Sequence, residues 1–168
     1  MTHIAIVLPG ASYTADMPGL AIPIDVLRGR GAWIVVAEYP ETNEEIVGAV
    51  TSQLAPALSE ATDVTLIAKS LGTSVFQHIE SIFPPTTKAI WITPLFHDPD
   101  IAKAAIARGF RCLSVFATDD SSHDPDWQSK VTAAGNGVEL ALEDVGHGLT
   151  MSDEQAEWLR EAVEKFCR

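Results

Sequence analysis

Val64–Ile79, VTLIAKSLGTSVFQHI, joins two patterns at one serine. Val64 to Ala68 is a short run of apolar and β-favouring residues, and an amphipathic helical pattern begins at Leu71. Between them stand Ala68-Lys69-Ser70-Leu71-Gly72. A tight strand-to-helix elbow needs small residues two before and two after its central residue, because the two backbones approach closely there. The usual form is G-x-S-x-G. Here Ala68 replaces the first glycine and Gly72 keeps the second. Such an elbow strains Ser70, exposes its hydroxyl and aims the Leu71 amide into the site from a helix N-terminus. A serine at that place is also an ordinary helix cap. The pentapeptide alone fits both readings.

The same alternation runs along the whole chain. His3–Leu8, Ala32–Tyr39, Asp63–Ala68, Lys88–Thr93, Arg111–Ala117 and Val138–Asp144 are short, rich in Val, Ile and Leu, and bounded by Gly, Pro, Asp or Asn. They read as strands apolar on both faces, the pattern of a buried parallel sheet. Helical patterns lie between them. The segment 43–61, from Asn43 to Ala61, carries Ile46, Val47, Val50, Leu54 and Leu58 at mostly three- and four-residue spacing; Leu71–Ile82, Pro99–Arg108 and Pro125–Ala134 follow. Ser152 opens the last helix, with Gln155 completing a capping box. The first connection, Met17–Gly31, holds two prolines and gives the weakest helical signal. Six strands, each followed by a helix, predict a three-layer α/β/α sandwich around a mostly parallel sheet of about six strands. The 168 residues are expected to form a single domain, 1–168.

Composition narrows the function classes. A hydrophobic content of 46% with 20% charged residues fits a packed core. A net charge of -12 disfavours nucleic acid and anionic membrane as partners. Cys112 and Cys167 form no metal-ligand spacing and read as reduced thiols. The N-terminal MTHIAIVLPG reads as a strand rather than a signal peptide, and no apolar run approaches the roughly 18 residues of a membrane span. A cytoplasmic protein is expected.

In parallel sheets of this kind function collects at the carboxyl ends of the strands. A serine hydroxyl there needs a base to take its proton. Of five histidines, His3 begins a strand and His78 lies inside a helix pattern, so both read as structural. His97 and His123 lie in loops after strands. His147 follows the last strand between Gly146 and Gly148, which let a loop carry the imidazole over a neighbouring strand end. A third group must hold the base, and Asp119 or Asp120 stands just past the fifth strand. Ser70, Asp120 50 positions later and His147 a further 27 on follow the order Ser, Asp, His. Two amides must face the developing oxyanion, each worth roughly 3–4 kcal/mol. Leu71 offers one, and Pro9-Gly10 turns the chain so that Ala11, or Ser12, offers the other.

With these residues in place the sequence resembles the α/β-hydrolase superfamily, specifically its small cap-less bacterial members. The resemblance runs from IVLPGASYTAD through AKSLGT and ATDD to GHGL and the final helix. It implies Ser70 as nucleophile, His147 as general base and Asp120 as acid, since Ala117-Thr118-Asp119-Asp120 matches the acid-loop pattern G-T-x-D. It assigns the oxyanion hole to Leu71 and the Gly10-Ala11 loop. Six strands instead of eight imply that the first two family strands are absent. No insertion is long enough for a lid, which implies an open, shallow site. Gly10, Ser12, Tyr13, Met17, Leu95, Phe96 and Trp127 are candidate substrate contacts. Lys69 could favour an anionic substrate but reads better as a solvated lysine.

The implied activity is hydrolysis of a carboxylic ester or thioester of a small substrate, with no cofactor and no metal. The alternative is a catalytically silent binding protein of the same fold. A flavodoxin-like nucleotide binder would need a phosphate-cradling first loop, and PGASYTAD is too poor in Gly, Ser and Thr.

Overall fold

The structure, a computed structural model, describes residues 2–42 and 45–168. Its elements are β1 (His3–Leu8), α1 (Pro18–Gly29), β2 (Trp33–Val36), α2 (Ile46–Glu60), β3 (Asp63–Lys69), α3 (Leu71–Ile79), β4 (Lys88–Ile92), α4 (Pro99–Arg108), β5 (Arg111–Ala117), α5 (Pro125–Ala134), β6 (Val138–Leu142) and α6 (Asp153–Phe166). The six strands form one sheet in the order β2-β1-β3-β4-β5-β6, and every neighbouring pair is parallel. Every strand therefore ends on the same rim.

Alternation along the strands sends side chains to two cores. Ile4, Ile6, Leu8, Val64, Leu66, Ala68, Trp91 and Cys112 pack with α2, α3 and α4 on one face. Ala5, Val7, Ile67, Ile90, Leu113, Val115 and Leu142 pack with α1 and α6 on the other. Three layers result, and burying both faces of the sheet accounts for the near-continuous apolar runs of β1, β3, β4 and β5.

The expectation of two buried faces does not hold at the margins. β2 and β6 are edge strands with a neighbour on one side only, and Trp33 and Val138 there are 56% and 54% exposed. Both strands are also shorter than Ala32–Tyr39 and Val138–Asp144. Tyr39 leaves the sheet to donate its hydroxyl to the Pro9 carbonyl at 2.9 Å, and Asp144 turns away at φ +56°.

α1 forms despite its prolines. Pro18 occupies the first turn, where no intrahelical N–H bond is lost. Pro23 gives up one bond, and the buried Leu20, Ile22, Ile24 and Leu27 compensate. α3 stops at Ile79 and a single 3-10 turn, Glu80–Ile82, completes the expected span. The expected start of α2 at Asn43 lies outside the described residues.

Candidate active site

Ser70 stands between β3 and α3 at φ +48° and ψ −113°, a region that L-residues with side chains rarely occupy. The strain follows from close packing: a Cβ on Gly72 would overlap the Leu8 carbonyl oxygen of β1. The helix must leave the strand at once, and Ser70 absorbs the turn. Its side chain makes no capping bond to α3. The Ser70 carbonyl instead accepts from the Thr73 amide at 2.8 Å and the Thr73 hydroxyl at 2.6 Å, while the Ser70 amide donates to the Ile92 carbonyl at 3.1 Å. The hydroxyl is left free for a tertiary partner.

That partner is His147. Its Nε2 lies 2.7 Å from Ser70 Oγ and its Nδ1 lies 2.6 Å from Asp120 Oδ2. The distances fit the tautomer in which Nδ1–H donates to the carboxylate and Nε2 accepts from the hydroxyl. The Asp120 side chain is only 2% exposed, that of His147 39%, so the chain runs from the buried acid out to solvent. The other Asp120 oxygen accepts from the Ser122 amide at 2.8 Å. Asp119 points elsewhere: its carboxylate accepts from the Gly146 amide at 3.0 and 3.1 Å and so grips the loop that carries His147.

The loop after β1 lies over the elbow. A Cβ on Gly10 would stand 3.4 Å from Ser70 Cβ and 3.5 Å from the Lys69 carbonyl oxygen, so the backbone passes directly above the serine. Gly10 to Tyr13 form a turn closed by a Tyr13 N–H bond to the Gly10 carbonyl at 3.3 Å, with Ser12 at φ +52°. Ala11 occupies the second position of that turn, where the amide takes no part in the closing bond. Leu71 opens α3, where the first N–H groups have no acceptor inside the helix.

Lys69 corrects the expectation of a solvated lysine. It is 1% exposed, because it continues the inward alternation of β3 and meets the loops at the rim. Its ammonium donates to Thr93 Oγ1 at 2.9 Å and to the His147 carbonyl at 3.0 Å, and lies 4.2 Å from the centre of the Tyr13 ring. A group so enclosed cannot receive an anionic substrate. Burial also holds its pKa down to about 8, against the opposing pull of Asp120.

Among the other candidates, Phe96 is a core residue at 1% exposure, packed edge-on against Trp91, and is no substrate contact. Leu95 and Trp127 are half-buried against the same core. Met17 is exposed, and Tyr13 accepts from the Gly19 amide through its hydroxyl at 2.9 Å. His97 Nδ1 pairs with the Ser122 carbonyl at 3.1 Å, and His123 stacks on Phe116 with ring centres 4.2 Å apart. Both brace the loop holding Asp120. Sequence reasoning missed the parts played by Lys69, Thr93 and Asp119. A lysine directly following five buried strand residues was the one available signal.

The rim is acidic. Among the described residues, the loops following the strands carry Asp16, Glu38, Glu41, Glu45, Asp98, Glu143 and Asp144 besides the acid-loop aspartates, and they contain no Lys or Arg. No group of three His, Cys, Asp or Glu side chains among the described residues could hold a metal ion. Cys112 and Cys167 are free thiols, and burial pushes Cys112 up to about 11, far from a reactive thiolate. No helix among the described residues is long and apolar enough to cross a membrane.

No protein-family model and no curated protein sequence matches the chain. Solved structures do. A lid-less α/β serine hydrolase from Xanthomonas campestris aligns with 99% of this chain and 81% of its own at TM-score 0.70 and 16% identity. Est1E from Butyrivibrio proteoclasticus aligns with 99% of this chain and 87% of its own at TM-score 0.76 and 10% identity. The esterase domain of a Rhodothermus marinus protein aligns with 96% of this chain and 87% of its own at TM-score 0.65 and 14% identity. At such low identity these likenesses speak for the fold. The fold of this chain is that of the α/β-hydrolases, in a minimal form of six parallel strands without a lid.

Proposed function

We propose that the chain is a serine hydrolase cleaving a carboxylic ester or thioester of a small substrate. The observation that carries this reading is the strained Ser70, whose hydroxyl does not cap its helix but stands 2.7 Å from a histidine that Asp120 holds from behind. Ser70 Oγ attacks the acyl carbonyl carbon while His147 Nε2 takes the hydroxyl proton. Asp120 keeps the imidazole in the required tautomer and stabilises the imidazolium. The Leu71 and Ala11 amides receive the charge on the carbonyl oxygen. The alcohol or thiol leaves with the proton from His147, forming the acyl-enzyme. Water, deprotonated by His147, then releases the acid and restores Ser70. No step calls on a cofactor.

The esterase named among the similar structures supports the same reaction class. In this reading Leu95, Met17 and Tyr13 serve as acyl or alcohol contacts, with Gly10, whose backbone passes above Ser70, and Ser12 as neighbours. The two free thiols support a reducing, cytoplasmic setting.

Ser70→Ala tests the proposal. Turnover of p-nitrophenyl acetate, corrected for background, is expected to fall at least about 10³-fold, and a fluorophosphonate probe is expected to label wild type at Ser70 alone. Unchanged turnover in Ser70→Ala, or labelling at another residue, sinks it. A wild type that neither turns over nor labels points to a silent binding domain of the same fold.

A further inference from the structure

Lys69 is enclosed beside Ser70 at 1% exposure, where burial is costly for a charge unless partners hold it. We propose that Lys69 is a positioning residue: its ammonium fixes the main-chain carbonyl of His147 and thereby sets where the imidazole stands over Ser70. The assignment rests on the serine-hydrolase reading for its effect on rate.

Three observations carry it. The ammonium has three protons and three partners, each from a different strand end: Thr93 Oγ1 after β4, the His147 carbonyl after β6 and the Tyr13 ring after β1. It thus joins the loop above Ser70 to the loop carrying the base. Thr93, the acceptor just after β4, is a buried β-branched residue at φ +37°, a conformation such residues almost never adopt. The strain is localised on the residue whose hydroxyl receives Lys69.

Finally, His147 lies between two glycines, one of them at φ +60°, and so has little local preference of its own. Asp119 secures the Gly146 amide before it, and the Leu149 and Thr150 amides bond back to the Gly146 and Val145 carbonyls. Among the described residues, Lys69 is the one whose side chain bonds the backbone of His147 itself, on the carbonyl side. The charged and titratable groups facing the ammonium are Asp120, His147 and Tyr13. Asp120 draws it in, while burial works against its charge.

Lys69→Met keeps the length of the side chain and removes its donors and charge. The purified full chain is measured by thermal unfolding, by p-nitrophenyl acetate kinetics and by the far-downfield proton resonance of the His147 Nδ1–H···Asp120 bond. We expect a melting temperature equal to or above wild type, because a buried charge is gone. We expect kcat to fall about 10- to 100-fold with KM within about twofold, and the resonance to broaden or vanish. Lys69→Arg, which retains charge and donors, is expected to restore part of kcat and the resonance. Wild-type kcat or an intact resonance in Lys69→Met overturns the assignment. A collapse of its melting temperature also overturns it, since Lys69 would then be a stabilising residue and nothing more. If wild type neither turns over nor labels, the hydrolase reading fails, and the resonance alone still decides the role of Lys69.

Discussion

Asp119 and Asp120 are neighbours in the chain and do different things: one holds the His147 ring, the other holds the loop beneath it. Asp120→Asn keeps the shape while removing the acceptor that fixes the tautomer. On the proposed mechanism, kcat is expected to fall about 10⁴-fold. Asp119→Asn retains an oxygen for the Gly146 amide, and a loss under about tenfold is expected, since only the loop's anchor is weakened. Steady-state kinetics on one activated ester, with both variants side by side, check this; the reverse ranking would move the acid to Asp119. At this scale the sequence was legible where chain order carried information. Ser70, Asp120 and His147, singled out by the order Ser, Asp, His, lie within hydrogen-bond distance of one another in turn. It was illegible where a tertiary contact decides. Nothing in KSLGT distinguishes a solvated lysine from one roofed by Thr93, His147 and Tyr13, because the roof comes from three distant segments.

Among the elements, α3 is the most constrained. Its start touches β1, and Gly72 is the residue that allows the contact. Gly72→Ala forces a methyl into the Leu8 carbonyl and is expected to cost about 3 kcal/mol, lowering the melting temperature by roughly 6–12 °C. Calorimetry reading no change would mean that the close approach is not needed. The parallel strands and α4, α5 and α6 were readable because each is bracketed by its own local signals: Asp98 and Asp124 cap two helices and Ser152 with Gln155 box the third. α1 was hard to read because Pro18 and Pro23 speak against a helix locally, while the contacts that secure it come from the sheet and from α6 beside it on the same face. The margins of β2 and β6 were misjudged for a related reason. Apolar content shows that a strand can be buried, but not that a neighbour exists to bury it.

Over the whole molecule, one direction dominates. All six strands point the same way, so every loop that could hold chemistry gathers at one end, and Ser70, Asp120 and His147 are supplied by three different strands. That is why three weak local signals could be combined before any contact was seen. The same arrangement gathers the carboxylates at that end, while the cations fall on the helices and the opposite end, apart from the enclosed Lys69. A compound diffusing towards Ser70 therefore meets a negative field before it reaches the serine. Esters with a cationic alcohol should be captured faster than neutral ones, and carboxylated or phosphorylated ones turned away. The ranking is expected to fade as salt rises towards 1 M, where the screening length shrinks to about 3 Å. Matched p-nitrophenyl and choline-type esters, with kcat/KM followed against ionic strength, measure it; a preference indifferent to salt would assign selection to contact at the site instead of steering during approach.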